Sequence, residues 1–194
     1  MIEKVKELRD LTGAGVLSCK KALEETNGDM QEALIWLRKN GEAEKGKRSA
    51  RTAKEGTVGL YIHTGGKICT MVEVNCETDF VARSEAFQSF AHDLAMHITA
   101  AHPFWVSREE VPQSVINKET EIIMARMDSK KPAGVINKIV NGKLDKFYKD
   151  NCLLEQPFIK DNNITIQNKF NELCNEVKEN LIIKRFVRFE VGSE

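Results

Sequence analysis

Two alternating runs meet at Gly65-Gly66, and they constrain the fold more than any other stretch of the chain. From Thr57 to Thr64, Val58, Leu60 and Ile62 share one face; from Lys67 to Asn75, Ile68, Val72 and Val74 do the same. Paired glycines suit a tight two-residue turn, so the pattern predicts a β-hairpin. The period then changes. Ser84 is placed to cap a helix in which Phe87, Phe90, Ala91, Leu94, Ala95 and Ile98 form one stripe, with Pro103 ending it. Near the other end, Arg185–Val191 alternates again, with Val187, Phe189 and Val191 on one face. That strand is expected to join the hairpin in a small antiparallel sheet with helices on one side, an α+β architecture.

Residues 2–40 follow a different rhythm. Ile2, Val5, Leu8 and Leu11 recur at helical spacing until Thr12-Gly13-Ala14-Gly15 breaks the pattern. A second helix carries Val16, Leu17, Ala22 and Leu23 and stops at Asn27-Gly28. Asp29 is placed to cap a third, with Glu32 three residues on as in a capping box; that helix buries Ala33, Leu34 and Leu37 and ends at Asn40-Gly41. Three helices this short make a bundle of marginal stability. Residues 45–54 are basic and carry no acid, which reads as a partly helical linker or, more sharply, as a nucleic-acid arm; no aromatics interleave the charges. The expected division is a three-helix domain with basic linker over 1–54 and an α+β core over 55–194.

Within the core, Ser107-Arg108-Glu109-Glu110 has capping-box spacing. Helices are expected over Ile116–Met127 and Val135–Tyr148, and another is marked by Phe170, Leu173 and Val177. Leu153–Lys160, with Pro157, reads as an edge strand or extended segment.

Composition excludes several classes. Lys+Arg and Asp+Glu are 29 each among 194 residues, a formal net charge of zero that argues against a general nucleic-acid binder. No apolar run reaches the length of a membrane span, and Met1–Asp10 is charged and helical, without a signal peptide's apolar centre. A cytoplasmic protein is expected. The five cysteines include no C-x-x-C, and Cys69 and Cys76, seven apart on one strand, point to opposite faces, so no shared metal is expected. Gly13-x-Gly15 lacks a preceding strand, and His63, His92, His97 and His102 are scattered. These absences favour an interaction protein without cofactor or metal over an enzyme.

One junction stays open on pattern alone. In Glu77-Thr78-Asp79-Phe80-Val81-Ala82-Arg83, neither the strand before nor the helix after claims Phe80. The ring is either a core plug beneath the sheet, with Asp79 favouring the positive end of the next helix, or a group that projects.

Several stretches together resemble the elongation factor Ts family. They are Leu8-Arg9-Asp10-Leu11-Thr12-Gly13-Ala14-Gly15, Cys19-Lys20-Lys21-Ala22-Leu23, Asn27-Gly28-Asp29, Leu37-Arg38-Lys39-Asn40-Gly41 and Glu73-Val74-Asn75-Cys76 continuing into the junction above. Weaker echoes run through Ala95-Met96-His97-Ile98-Thr99-Ala100-Ala101, Leu154-Glu155-Gln156-Pro157-Phe158 and Phe186-Val187-Arg188-Phe189-Glu190-Val191-Gly192. The resemblance implies a ubiquitin-associated-like three-helix domain, an α+β core, and guanine-nucleotide exchange on elongation factor Tu by binding alone. It implies that Asp79 and Phe80, flanked by Thr78, Val81, Ala82 and Arg83, enter the GTPase and disturb its magnesium site and phosphate loop. It places Arg9, Val16, Leu17 and Lys20 against the nucleotide domain and His97 at the partner interface. Long members of the family carry a duplicated core and a helical protrusion. This chain resembles the short form, which pairs with itself, so a homodimer is expected, with no membrane and no specific nucleic acid among the partners.

Overall fold

The computed structural model describes residues 2–40, 51–126 and 132–193. The first three helices are α1 (Ile2–Thr12), α2 (Val16–Glu25) and α3 (Met30–Lys39). The Asp29 carboxylate accepts from the amides of Gln31 and Glu32 at 2.8 and 2.9 Å, which satisfies donors that the first turn of α3 leaves unpaired. Leu8, Cys19, Ala22, Leu23, Ala33 and Leu37 are buried together. Ile2 and Leu11, expected on the same stripe as Leu8, are exposed instead; the buried face of α1 runs through Leu8 and Thr12. The basic stretch 45–54 lies outside the described residues up to Ala50.

The main sheet has the order β1-β2-β5, with β1 (Glu55–Ile62), β2 (Ile68–Cys76) and β5 (Ile182–Glu190) antiparallel. The β1–β2 connection is longer than a two-residue turn. His63 donates its amide to Ile68 O and Gly66 donates to His63 O, leaving Thr64–Lys67 as the loop. Gly65 and Gly66 both have positive φ, 91° and 69°, a region that residues with a Cβ rarely occupy. After β2 come a single turn, α4 (Asp79–Ala82), and the long α5 (Glu85–Ala101). The stripe read from sequence is the inner face of α5, closing over Val72, Val74, Cys76 and Ile183 of the sheet. Gly59 allows the close approach: a Cβ there would stand 2.2 Å from Ala91 O.

The alternation of β1 holds, but its apolar face is the outer one. Val58, Leu60 and Ile62 are exposed, as are Met71, Val187, Phe189 and Val191, while the helix-facing positions of β1 are Thr57, Gly59 and Tyr61. Both faces of the sheet are therefore partly apolar, and periodicity alone does not say which one α5 covers.

The remainder is α6 (Gln113–Ala125), α7 (Ala133–Asn151), a separate pair of strands β3 (Pro157–Phe158) and β4 (Asp161–Thr165), and α8 (Ile166–Val177). The extended segment around Pro157 thus pairs with β4, which the sequence reading passed over, and does not join the main sheet. Arg108–Glu110 forms one 3-10 turn, and Glu110 accepts from the amide of Val106, one residue earlier than a capping box requires. Arg108 bonds to Glu155 and, at 2.9 Å, to Asp145, and its guanidinium lies 4.5 Å from the Tyr148 ring centre. That clamp ties the chain after α5 to α7. Among the described residues no helix is long and apolar enough to cross a membrane.

Candidate functional site

The junction after β2 is built as a short, tightly bonded turn. Thr78 Oγ1 accepts from the Val81 amide at 3.4 Å and so caps α4. The amides of Ala82 and Arg83 donate back to Thr78 O and Asp79 O. Ser84 Oγ donates to Val81 O at 2.8 Å and accepts from the Phe87 amide at 3.4 Å, while Gln88 Nε2 donates to Ala82 O at 2.6 Å. Successive helical positions point about 100° apart. Val81 and Ala82 take the inward directions and pack on the core, so Phe80 turns outward and is 83% exposed. It is not a core plug. Asp79 pairs with Arg83 across the turn at 2.9 Å, and both side chains are open to solvent. The tip is thus a bare aromatic ring beside a carboxylate paired with Arg83.

Behind this turn lies a set of contacts between residues far apart in sequence. Glu179, in the α8–β5 connection, accepts from the amides of Glu77 and Thr78 at 3.0 and 3.1 Å and from the Thr78 hydroxyl at 2.6 Å. In return, Glu77 accepts from the Asn180 amide at 2.6 Å. Asn180 Nδ2 donates to Arg51 O at 2.7 Å, and the Arg51 guanidinium lies 3.5 Å from Glu77. Cys76, at the end of β2, is sealed in and donates to Thr78 O at 3.1 Å; burial pushes its thiol up to about 11. Glu179, Asn180 and Arg51 escaped the sequence reading. Nothing in Lys178-Glu179-Asn180 marks it out, and its partners lie about a hundred residues away.

The other expected contact residues are placed elsewhere. Arg9, Val16, Leu17 and Lys20 are all exposed around the α1–α2 corner, Leu17 by 81%. The corner itself is fixed: Thr12 Oγ1 donates to Leu8 O at 2.6 Å and accepts from the Ala14 amide at 3.2 Å. Lys20 pairs loosely with Glu24 at 3.7 Å. His97 belongs to neither group. It is 1% exposed, with Nε2 at 3.0 Å from Gln156 Oε1 and Nδ1 accepting from the Ile159 amide at 3.3 Å. That pattern fits a neutral ring with its proton on Nε2, and burial lowers its pKa below the ordinary value. His97 offers no surface to a partner in this conformation.

Phe80 and the Val16–Leu17 corner are thus exposed apolar residues at separate places on the surface, besides the outer face of the sheet. The family model described as Elongation factor TS matches residues 5–193. The chain is 54% identical over 191 residues to elongation factor Ts of Carboxydothermus hydrogenoformans, covering 98% of this chain and 88% of that one. It is 52% identical over 189 residues to elongation factor Ts of Moorella thermoacetica, with 97% and 93% covered. For elongation factor Ts of Geobacter sulfurreducens the identity is 52% over 190 residues, with 97% and 88% covered. Matches of this extent define a translation elongation factor with a nucleotide-exchange role. The chain belongs to the elongation factor Ts family.

Proposed function

We propose that this chain is a guanine-nucleotide exchange factor for elongation factor Tu, acting in the cytoplasm by binding the GDP-bound or nucleotide-free GTPase, with no covalent step. The observation that carries this reading is Phe80: a large ring 83% exposed on a turn whose backbone is bonded at both ends. A rigid apolar projection keeps its apolar area free to be buried when a partner receives it. Inserted between elements that support the magnesium and phosphate site, it weakens the hold on GDP by about 1.4 kcal/mol for each tenfold of affinity. Because coupling is reciprocal, nucleotide weakens factor binding by the same ratio, so incoming nucleotide releases the factor. Asp79, held by Arg83, sets the local charge beside the ring, and Thr78, Val81 and Ala82 hold the turn.

The α1–α3 bundle, taken as a ubiquitin-associated-like domain, supplies a second contact through Arg9, Val16, Leu17 and Lys20. His97 acts from inside, bonding to buried Gln156 and to the main-chain amide of Ile159, whose side chain is exposed. A second copy of the chain is the proposed occupant of the outer sheet face, where Val58, Leu60, Ile62, Met71, Val187 and Phe189 form an exposed apolar surface. A two-fold pairing would use this same patch on both copies. No cofactor and no specific nucleic acid enter this scheme. The test is release of labelled GDP from elongation factor Tu with and without the full chain: accelerated release at substoichiometric factor is expected, and an unchanged rate would overturn the reading.

A further inference from the structure

The amides of Glu77 and Thr78 fall where neither regular element serves them. The β2 strand ends at Cys76, and the first amide bonded within the α4 turn through main chain is that of Ala82. A chain break of this kind is normally soft, because amides without partners exchange among water contacts. Here one carboxylate takes both amides. Glu179 Oε2 accepts from Glu77 N and Thr78 N, and Oε1 accepts the Thr78 hydroxyl proton at 2.6 Å. The hydroxyl has a single proton, so donating it to Glu179 leaves its lone pairs for the Val81 amide. Glu179 thereby selects the Thr78 rotamer that caps α4. Lys178 turns the chain through a left-handed conformation at φ 58° immediately before Glu179, and Asn180 is buried immediately after it, bonded to Glu77 and Arg51. The carboxylate is delivered by a connection that is itself anchored.

We propose that Glu179 is a positioning residue for the Phe80 tip: by fixing Thr78 it sets the direction of the exposed ring and so the rate of nucleotide release, without touching the partner. The proposal rests on the reading of Phe80 as the wedge. Hydrogen bonds from neutral donors to an ionised acceptor are among the strong ones, and misplacing a group far from the chemistry has large rate consequences.

The test compares wild type, Glu179→Ala, Glu179→Gln, Phe80→Ala and the double variant Phe80→Ala/Glu179→Ala. Each is assayed for GDP release from elongation factor Tu over a range of factor concentration and for hydrogen exchange at individual amides. In Glu179→Ala the maximal release rate is expected to fall about tenfold, while half-saturation moves less than about threefold, since the other contacts remain. Glu179→Gln, which keeps one acceptor oxygen, is expected to fall between. The amides of Glu77 and Thr78 should lose protection while those of β2 keep it. Adding Glu179→Ala to Phe80→Ala should cause no further loss, because Glu179 acts through the ring. Normal release by Glu179→Ala beside a defective Phe80→Ala, or losses that multiply in the double variant, would overturn the positioning role alone. Normal release by Phe80→Ala would instead overturn the wedge reading beneath it. Should Glu179→Ala lose its fold, Glu179→Gln carries the same comparison, with the same outcomes deciding it.

Discussion

A histidine sealed in a protein interior has lost the water that would solvate its charged form, and His97 is such a residue. Its neutral ring accepts from Ile159 and bonds to Gln156, so protonation on Nδ1 would remove one acceptor and create a buried charge. The folded-state pKa lies below the ordinary 6.5. The unfolded chain therefore binds the proton first on acidification. The stabilising contribution is complete above about pH 6.5 and is lost as pH falls from there through the depressed folded value. The melting temperature is expected to drop as pH falls below about 6.5, and to drop less in His97→Gln, which does not titrate. Equal pH slopes for the two proteins would contradict the assignment. His97 also illustrates what sequence conceals. Its position beside an apolar stripe left both an interface role and a core role open, and only Gln156 and Ile159, brought in from about sixty residues away, decide its burial.

At the level of elements, the α5 stripe was legible because every position in it is buried in one core, shared with the sheet and, at Phe90, with Phe170 of α8. The orientation of the sheet was not legible, since Val58, Leu60 and Ile62 look like a core face and are exposed. What reverses the assignment is Gly59. A single residue without a side chain lets α5 sit on that face, and its consequence appears only when the helix is in place. Gly59→Ala puts a Cβ 2.2 Å from Ala91 O and 3.1 Å from Ala91 Cβ, so α5 must move off the sheet. A loss of about 2–3 kcal/mol is expected, read as a fall in melting temperature of several degrees. An unchanged melting temperature would mean the helix has room to spare. Of the short β3–β4 pair, β4 was not legible for a simpler reason: Asp161–Asn163 is polar and gives no alternating pattern.

For the whole molecule, the buried residues of α1–α3 share no member with those around the sheet. We therefore expect a chain lacking residues 1–50, which keeps Arg51 and its bond to Asn180, to fold, with cooperative unfolding of the remaining core, and to bind elongation factor Tu much more weakly. Full-strength binding by that truncation would remove the Val16–Leu17 corner from the proposed interface. The outer sheet face makes a second prediction at this scale. The intact chain should run as a dimer by light scattering, and Leu60→Glu, which places charge opposite Met71, should run as a monomer of unchanged fold. A wild-type monomer at every accessible concentration would contradict the pairing. The central claim is that an exposed ring, not a reacting group, drives nucleotide release. Its most direct test is Phe80→Ala, with GDP release from elongation factor Tu and thermal unfolding measured on the same preparation. The ring is 83% exposed, so the fold should change by no more than about 0.5 kcal/mol while the release rate falls at least about tenfold. A large loss of melting temperature, with the remaining folded protein releasing GDP at the normal rate, would show that Phe80 serves the fold and contradict the account.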